Sequence, residues 1–348
     1  MSASRQRAGA ADLRPIMIVG CPRSGTTLLQ LMLHAHPRIA IPPENRFVFP
    51  VYARRRRFGD LRRRRNRNRV ASFIIDRRWT RLDHLGVDPA DLRRRMRQAD
   101  PTIGSLLAAV FEAYAAQFDK PRWGDKRPAY IDRLDLVLRL FPDAQIIHII
   151  RDGRDCVSSL TRMPWWRQST YAAIRTWVDA IDNGARARAT LAADQYTEVR
   201  YEDLVADPEP ELRRLAAWLG EDFDSAMLEP HRVSPVAVPD GKTWHRNTRQ
   251  EVNASAVRRW ASDLAAWELR LMEAVAGDRL RRNGYELSSG SRPAPPPVHL
   301  ARYTYERLRR RLWSARRHHR DRIRQRRYGW PVAAAASHRP TTVAASRQ

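Results

Sequence analysis

Several features that would place a chain of 348 residues in a special class are scarce or missing. Only two cysteines occur, Cys21 and Cys156, which excludes a disulfide framework and predicts a reducing compartment. No apolar run approaches the roughly 20 residues of a membrane-spanning helix, and no secretory signal is recognisable. The ten histidines show no metal-ligand spacing. These absences predict a cytoplasmic protein, soluble or peripheral at a membrane, and no bound metal.

Acidic residues are also few, because 38 aspartates and glutamates stand against 64 lysines and arginines, a net charge of +26. Two segments carry most of the excess. Residues 54–69 hold ten arginines and one acidic residue, and residues 292–327 hold 13 arginines and two acidic residues. The rest of the chain is only mildly basic. We interpret the charge as two basic additions to an ordinary domain, and expect no specific nucleic acid as a partner.

The most informative stretch is residues 16–29, in which an apolar strand runs into a Gly-x-x-x-x-Gly-Thr-Thr turn and a helix. Backbone N–H groups of such a turn, and of the first helical turn, converge on one phosphate. In loops that bind nucleoside triphosphates, a lysine follows the second glycine. Here Thr26 takes that position and the cation, Arg23, lies inside the loop. The pattern predicts a phosphate ester other than a magnesium triphosphate; a turn that binds nothing is the alternative.

Residues 17–46 resemble the start of sulfotransferases that use 3′-phosphoadenosine 5′-phosphosulfate (PAPS), and are most similar to the protein-tyrosine sulfotransferase branch. The matching residues are Pro22-Arg23-Ser24-Gly25-Thr26-Thr27, then His36-Pro37, then Glu44-Asn45-Arg46. The resemblance implies that the first group binds the 5′-phosphosulfate. It also implies that Glu44 is the catalytic base and that Arg46 shapes the acceptor site. A loop carboxylate paired to Arg46 is the alternative interpretation of Glu44.

A second block, residues 145–160, has the pattern of a buried strand followed by a helix. The resemblance makes Arg151 and Ser159 the ligands of the 3′-phosphate, which suits the planar fork of donors that arginine offers to phosphate. The alternative for Arg151 is an ion pair with a nearby aspartate. The family branch has a further arginine four residues after the serine, whereas this chain has Met163 there and Arg162 displaced by one.

Further matches follow in the order that the family shows. The resemblance places Lys126 against the transferred sulfonyl group and Tyr201 near the adenine. Asn253 and Ser255 are weaker candidates for contact with the nucleotide. A solvated lysine and a core tyrosine are the alternatives at the first two positions.

Strand candidates at residues 16–19, 39–41, 145–150 and 197–200 are separated by amphipathic helices. This order is typical of an α/β fold with a parallel sheet, and the resemblance implies the P-loop-like sheet of the sulfotransferase fold. Four helical faces follow from the spacing of the apolar residues, which lie at 103–114, 131–141, 171–181 and 264–275.

We predict one α/β domain over residues 14–288 and a Pro-rich linker with a basic, partly disordered tail over residues 289–348. A basic insertion at about 54–97 is predicted to lack most of a core face and to cover the mouth of the site as mobile helices and loops. In the tail, a thin apolar stripe among arginines is compatible with a helix at an anionic membrane surface. A partner protein and plain disorder are the alternatives. Residues 331–348 are predicted to be disordered.

The predicted function is transfer of a sulfuryl group from PAPS to an acceptor hydroxyl by in-line displacement. Glu44 would be the base, with Arg23 and Lys126 as catalytic cations and no metal. The predicted donor-binding residues are Arg23, Ser24, Gly25, Thr26, Thr27, Arg151, Ser159 and Tyr201. A carbohydrate, a lipid, a peptide tyrosine and a small phenol all remain open as acceptors. The alternatives are a P-loop nucleotide or small-molecule kinase, which Thr26 disfavours, and a basic nucleic-acid or membrane adaptor that is not an enzyme.

Overall fold

The computed structural model describes residues 13–234, 252–288, 294–326 and 332–333. In these residues one sheet of five parallel strands has the order β2-β3-β1-β4-β5. The strands are β1 (Ile16–Gly20), β2 (Ile39–Ala40), β3 (Arg122–Lys126), β4 (Gln145–Ile150) and β5 (Tyr196–Arg200). The four predicted strands are therefore present, with bounds that agree to within one residue.

Helices connect the strands and cover both faces of the sheet. They are α1 (Thr26–Ala35), α2 (Val48–Arg54), α3 (Arg64–Ile75), α4 (Pro89–Gln98), α5 (Ile103–Ala116), α6 (Leu134–Leu140), α7 (Gly153–Thr161), α8 (Thr170–Thr190), α9 (Tyr201–Ala206), α10 (Pro208–Leu219), α11 (Trp260–Asp263), α12 (Ala266–Arg282) and α13 (Pro297–Arg326). The predicted helical faces at 103–114 and 171–181 lie on α5 and α8. The face at 264–275 begins two residues early, because α12 starts only at Ala266.

The core has two layers because successive side chains of a strand point to opposite faces of the sheet. In β1, Ile16 and Ile18 pack with residues of α1 and α10 on one face. Met17 and Val19 face the other side, where α5, α7 and α8 pack. A parallel sheet covered on both faces explains why β1 and β4 have continuous apolar sequences.

Strand β3 was not predicted, because its sequence Arg-Trp-Gly-Asp-Lys is polar. The structure buries it in the sheet between β1 and β2. Arg122 is fully buried and donates to the carbonyls of Arg14 (2.9 Å) and Leu219 (2.7 Å), and it pairs with Glu221 at 3.2 Å. These partners come from distant parts of the sequence, so no local pattern could indicate that the charge is compensated.

The prediction that the basic insertion at about 54–97 lacks most of a core face was wrong. Its helices α3 and α4 have a core face, formed by Val70, Phe73 and Ile74 on α3 and by Leu92 and Met96 on α4. Arginines occupy eight of the other 17 positions of these two helices and obscure this short apolar spacing in the composition. The insertion is thus packed as part of the domain core rather than laid loosely over the site.

The basic tail forms the 30-residue helix α13, which packs along α8. Part of the predicted linker, residues 289–293, and most of the segment predicted to be disordered, residues 334–348, lie outside the described residues. The division at residue 288 remains a prediction. Among the described residues, no helix combines the length and the apolar character that crossing a membrane requires.

Candidate active site

Segments that follow all five strands meet in one cleft at the carboxyl edge of the sheet, where ligands bind in open α/β sheets. The cleft has a volume of about 860 Å³. It is lined by every predicted site residue except Ser24, namely Arg23, Gly25, Thr26, Thr27, Glu44, Arg46, Lys126, Arg151, Ser159 and Tyr201. Ser24 lies fully buried beneath the loop. The structure therefore brings together residues spread over some 180 positions of the sequence.

The loop between β1 and α1 has the backbone of an anion-binding turn. Arg23 and Gly25 have φ angles of 74° and 97°, in the left-handed region. Helix α1 begins at Thr26, and the residue before it provides no side-chain cap for the first N–H groups. These N–H groups and the positive end of the helix dipole face the cleft, which favours an anion at this point.

Gly25 is required by close packing as well as by its φ angle. A Cβ atom at this position would lie 2.4 Å from Cδ2 of Tyr201, far inside van der Waals contact. The ring of Tyr201 thus rests directly on the loop backbone. The same ring lies 4.6 Å from the guanidinium of Arg151, a cation–π distance. Tyr201 therefore connects the end of β5 to both the loop and the arginine that ends β4.

Two guanidinium groups, those of the buried Arg151 and the half-buried Arg23, lie next to each other in the cleft. Arg151 donates a 3.0 Å hydrogen bond to the carbonyl of Arg23, and Arg23 Nε donates to Ser159 Oγ at 3.0 Å. Burial, and then the charge of Arg151, lower the pKa of Arg23. Asp155 lies 3.6 Å from Arg151 and offsets part of the positive charge. The uncompensated positive charge that remains favours a bound anion.

Glu44 and Lys126 form an ion pair in the cleft. Lys126 Nζ lies 3.7 Å from Glu44 Oε2 and donates a 3.3 Å hydrogen bond to Thr27 Oγ1. Burial lowers the pKa of Lys126, and the nearby carboxylates of Glu44 and Asp125 counteract that effect. The lysine thus links the phosphate loop to the predicted base.

A buried network behind this pair was missed in the sequence. Asn45 Nδ2 donates to Asp125 Oδ1 at 2.8 Å, and Tyr130 donates its hydroxyl proton to Asp125 Oδ2 at 2.6 Å. Burial raises the pKa of Asp125 to about 6. The sequence signal that could have indicated this network is that Asn45 directly follows Glu44 and Asp125 directly precedes Lys126.

Four further arginines line the cleft that sequence reasoning had not assigned: Arg81, Arg127, Arg162 and Arg259. Arg162 pairs with Asp263 at 2.6 Å and donates to Ser158 Oγ at 3.0 Å. The one-residue displacement of Arg162 from the family pattern therefore still leaves an arginine in the cleft. Arg81 comes from the basic insertion, so that segment does reach the mouth of the site.

Residues 252–260 close the cleft on the side of the predicted nucleotide site. Asp155 holds this segment by accepting hydrogen bonds from the backbone N–H groups of Arg258 and Trp260, both at 2.9 Å. Asn253 lines the cleft, whereas Ser255 is not among the lining residues and hydrogen-bonds Asn253. Of these two weaker candidates for contact with the nucleotide, the structure thus favours Asn253 over Ser255.

The comparison with known families agrees with this geometry. A model of the sulfotransferase family matches residues 15–225, more than half of the chain. The chain belongs to the sulfotransferase family. The matched part contains β1 to β5 and every predicted site residue. The predicted family, the predicted fold class and the predicted enzyme class, a sulfotransferase, are confirmed.

Relatives with a known name include protein-tyrosine sulfotransferases. Protein-tyrosine sulfotransferase 1 of Danio rerio is 28% identical over 291 residues, which cover 79% of this chain and 73% of that protein. Protein-tyrosine sulfotransferase A of Caenorhabditis elegans is 26% identical over 279 residues, 78% of this chain and 67% of that protein.

Solved structures of the same fold include two sulfotransferase domains. The sulfotransferase domain of the Synechococcus PCC 7002 olefin synthase is 25% identical, with a TM-score of 0.52, and the match covers 79% of this chain and 98% of that domain. The domain from the curacin biosynthetic pathway is 19% identical, with a TM-score of 0.56, over 80% of this chain and all of that domain. The second likeness supports the fold.

Proposed function

We propose that this sulfotransferase moves the sulfuryl group of PAPS to the hydroxyl of a tyrosine in a peptide or protein. The observation that carries the proposal is the pairing of Glu44 with Lys126 at 3.7 Å beside an anion-binding loop. That arrangement puts a base and a buried cation at one point of the cleft. Both are needed for transfer to a hydroxyl.

The residues of the cleft fit a donor with two separate anionic groups. Arg23 and the loop residues 24–27 would hold the 5′-phosphosulfate at the start of α1, and Arg151 with Ser159 would hold the 3′-phosphate. Among the described residues, Arg151 Nε, in the wall of the cleft, is a buried polar atom without a hydrogen-bond partner. Buried donors of this kind are usually satisfied, so they support a ligand that accepts hydrogen bonds. Tyr201 offers a ring against which the adenine would pack.

The residues of the chain divide the chemistry among themselves. PAPS supplies an activated sulfuryl group, whose bond to the bridging phosphate oxygen breaks as the acceptor oxygen bonds to sulfur. Glu44 takes the proton of the acceptor hydroxyl. Lys126 and Arg23 stabilise the negative charge that develops on the sulfonyl and bridging oxygens, and burial strengthens their effect. Arg and Lys suffice for this charge, so we propose that no metal takes part.

The acceptor proposal draws its support from the relatives and from the mouth of the cleft. Protein-tyrosine sulfotransferases are prominent among the named relatives. Trp165 lines the cleft and is 44% exposed, which gives a flat apolar surface for an aromatic acceptor. A volume of about 860 Å³ is large enough for the donor and a tyrosine side chain together.

A labelled-donor assay tests both halves of the proposal. We expect label from PAPS on a tyrosine peptide, none on the same peptide with phenylalanine, and none with Glu44→Gln enzyme. Transfer to a sugar, a lipid or a small phenol in place of the peptide would overturn the acceptor. Thermal stabilisation by ATP with magnesium, but not by 3′,5′-adenosine bisphosphate, would overturn the donor and favour a kinase.

We also propose a cytoplasmic location. Its support is that Cys21 and Cys156 are both buried and unpaired by a disulfide. Burial, and the neighbouring Cys21, raise the pKa of the Cys156 thiol, so that thiol stays protonated. Alkylation of a denatured cell extract should label both thiols; labelling that requires prior reduction would contradict the proposal.

A further inference from the structure

Helix α13 has two opposite faces, and the inner one is held by the domain. Tyr303 on that face is 2% exposed, and Glu306 accepts a 2.9 Å hydrogen bond from Ser169 Oγ at the start of α8. The ring of His299 stacks on Trp267 of α12 with 4.1 Å between centroids. The inner face therefore fixes the helix on the domain surface and sets which residues face outward.

The outer face carries a row of exposed apolar side chains, which we call the outer stripe. It consists of Val298, Tyr305, Leu308, Leu312 and Ile323, with exposed fractions of 68%, 58%, 54%, 61% and 41%. Their spacings of seven, three, four and eleven residues place them along one line of an α-helix. Several large exposed apolar residues on one face of a helix mark an interaction surface, unlike single exposed ones.

Arginines border the outer stripe. Arg302, Arg309, Arg316 and Arg320 follow one side of it by helical position and Arg311 the other, and all are exposed. Residues 297–326 contain eleven arginines and two acidic residues, one of which, Glu306, is engaged on the inner face. Arg302 pairs with Glu306 at 3.3 Å, whereas Arg309, Arg311, Arg316 and Arg320 have no ion pair with a residue whose side chain the structure describes, so the border stays positive.

An apolar row with a positive border matches one kind of partner. A second copy of the chain would bring two arginine borders together, which like-charge repulsion disfavours. An anionic lipid surface accepts both parts, because the acyl boundary takes the apolar side chains and the headgroups pair with the arginines. We infer that the outer stripe of α13 docks this protein flat on an anionic membrane surface. The inference does not depend on the proposed function.

Co-sedimentation of the full chain with vesicles tests the inference. The vesicles are phosphatidylcholine alone, or phosphatidylcholine with phosphatidylserine, at low and at high salt. Two variants divide the surface: Leu308→Gln with Leu312→Gln removes apolar contacts, and Arg309→Gln with Arg316→Gln removes charge. Arg213→Gln with Arg214→Gln on α10 is the matched control, since it removes the same charge from an exposed helix elsewhere.

We expect binding to the phosphatidylserine vesicles at low salt and release at high salt. The leucine variant and the arginine variant of α13 should each lower the partition coefficient between vesicles and solution at least about tenfold. The control should change this coefficient little. The melting temperature and the activity toward a small soluble acceptor should stay at the wild-type values in all variants. Equal binding by every variant, or equal binding to phosphatidylcholine alone, would overturn the inference. So would a dimer in analytical ultracentrifugation that the leucine variant dissociates, since a second copy would then cover the stripe.

Discussion

Asn45 donates a buried 2.8 Å hydrogen bond to the carboxylate of Asp125. Asn45 directly follows Glu44, and Asp125 directly precedes Lys126. One bond between two non-catalytic side chains therefore fixes the distance between the predicted base and the predicted cation. Tyr130 completes the arrangement by donating to the second carboxylate oxygen at 2.6 Å.

Replacing the side-chain amide of Asn45 should lower the turnover number. We expect Asn45→Ala to lower kcat roughly 10- to 100-fold, because displacing a reacting group by about 1 Å has effects of that size. Binding of 3′,5′-adenosine bisphosphate should change little, since the phosphate loop is untouched. The control is Asn183→Ala on α8, which removes a 3.3 Å hydrogen bond from the side-chain amide of Asn183 to Asp132, away from the cleft. An unchanged kcat in Asn45→Ala would show that the bond has no positioning role.

Glu44→Gln should keep donor binding and lose most transfer. The amide preserves the size of the side chain but cannot accept a proton from the acceptor hydroxyl. General-base catalysis is typically worth about 10²- to 10⁴-fold, and the loss of kcat should lie in that range. Single-turnover measurement with labelled donor gives the rate, and Glu209→Gln on α10, a glutamate whose side chain is 47% exposed, is the control. Turnover within a few-fold of wild type would eliminate Glu44 as the base.

Arg151→Ala should weaken binding of the bisphosphate by about 1.5–3 kcal/mol, the usual size of a charge-assisted hydrogen bond to a phosphate. Arg151 also supports the carbonyl of Arg23, so a smaller loss is expected for an analogue without the 3′-phosphate. Isothermal titration calorimetry with both ligands measures the difference. Equal losses for the two ligands would contradict the assignment of Arg151 to the 3′-phosphate.

Gly25→Ala should abolish donor binding. The new Cβ would collide with Tyr201 at 2.4 Å, and the φ angle of 97° is unfavourable for alanine. We expect a loss of about 1–3 kcal/mol in the free energy of unfolding, together with the loss of thermal stabilisation by the bisphosphate. Gly86→Ala is the matched control, because Gly86 also has a positive φ, 62°, but lies outside the cleft. Gly86→Ala should lower the stability and keep bisphosphate binding. If Gly25→Ala kept binding, or if Gly86→Ala lost it, the collision with Tyr201 would not explain the effect.

Two buried histidines should make the protein sensitive to acid. Burial lowers the pKa of His34 and of His148 to about 3, against an ordinary value of 6.5. The pKa of each histidine is lower in the folded state than in the unfolded state, so the unfolded state takes up protons first as the pH falls. The stability of the fold with both histidines neutral is therefore fully present above pH 6.5 and is lost as the pH falls towards 3. The free energy of unfolding should fall by about 1.4 kcal/mol per pH unit for each histidine.

Denaturant unfolding between neutral pH and mildly acidic pH measures this slope. His148→Gln should flatten it by the share of one histidine, whereas the exposed His319→Gln should leave it unchanged. A slope that is the same in all three proteins would show that His148 is not the group that titrates.

The local parts of the fold could be predicted because their causes are local. Strand β4 has the predicted bounds 145–150, since six consecutive buried residues end abruptly at Arg151. The loop at residues 21–25 follows from its glycines and from the start of α1. The core face of α3 escaped prediction, because its apolar residues are confined to the second half of a helix whose first half consists of arginine and asparagine.

The sequence by itself determined which residues are predicted to carry the chemistry: the loop with Arg23 and Gly25, the acid Glu44, the lysine at 126 and the arginine that follows β4. Only the tertiary structure decided how they meet. The sheet order places β2 directly beside β3, with Ile39 opposite Arg122, so the segments after the two strands emerge together and Glu44 reaches Lys126. Strand order is set by packing of the whole core, and no short stretch of sequence specifies it. The Asn45 to Asp125 bond and the arrival of Arg81 at the mouth of the cleft are consequences of the same long-range packing.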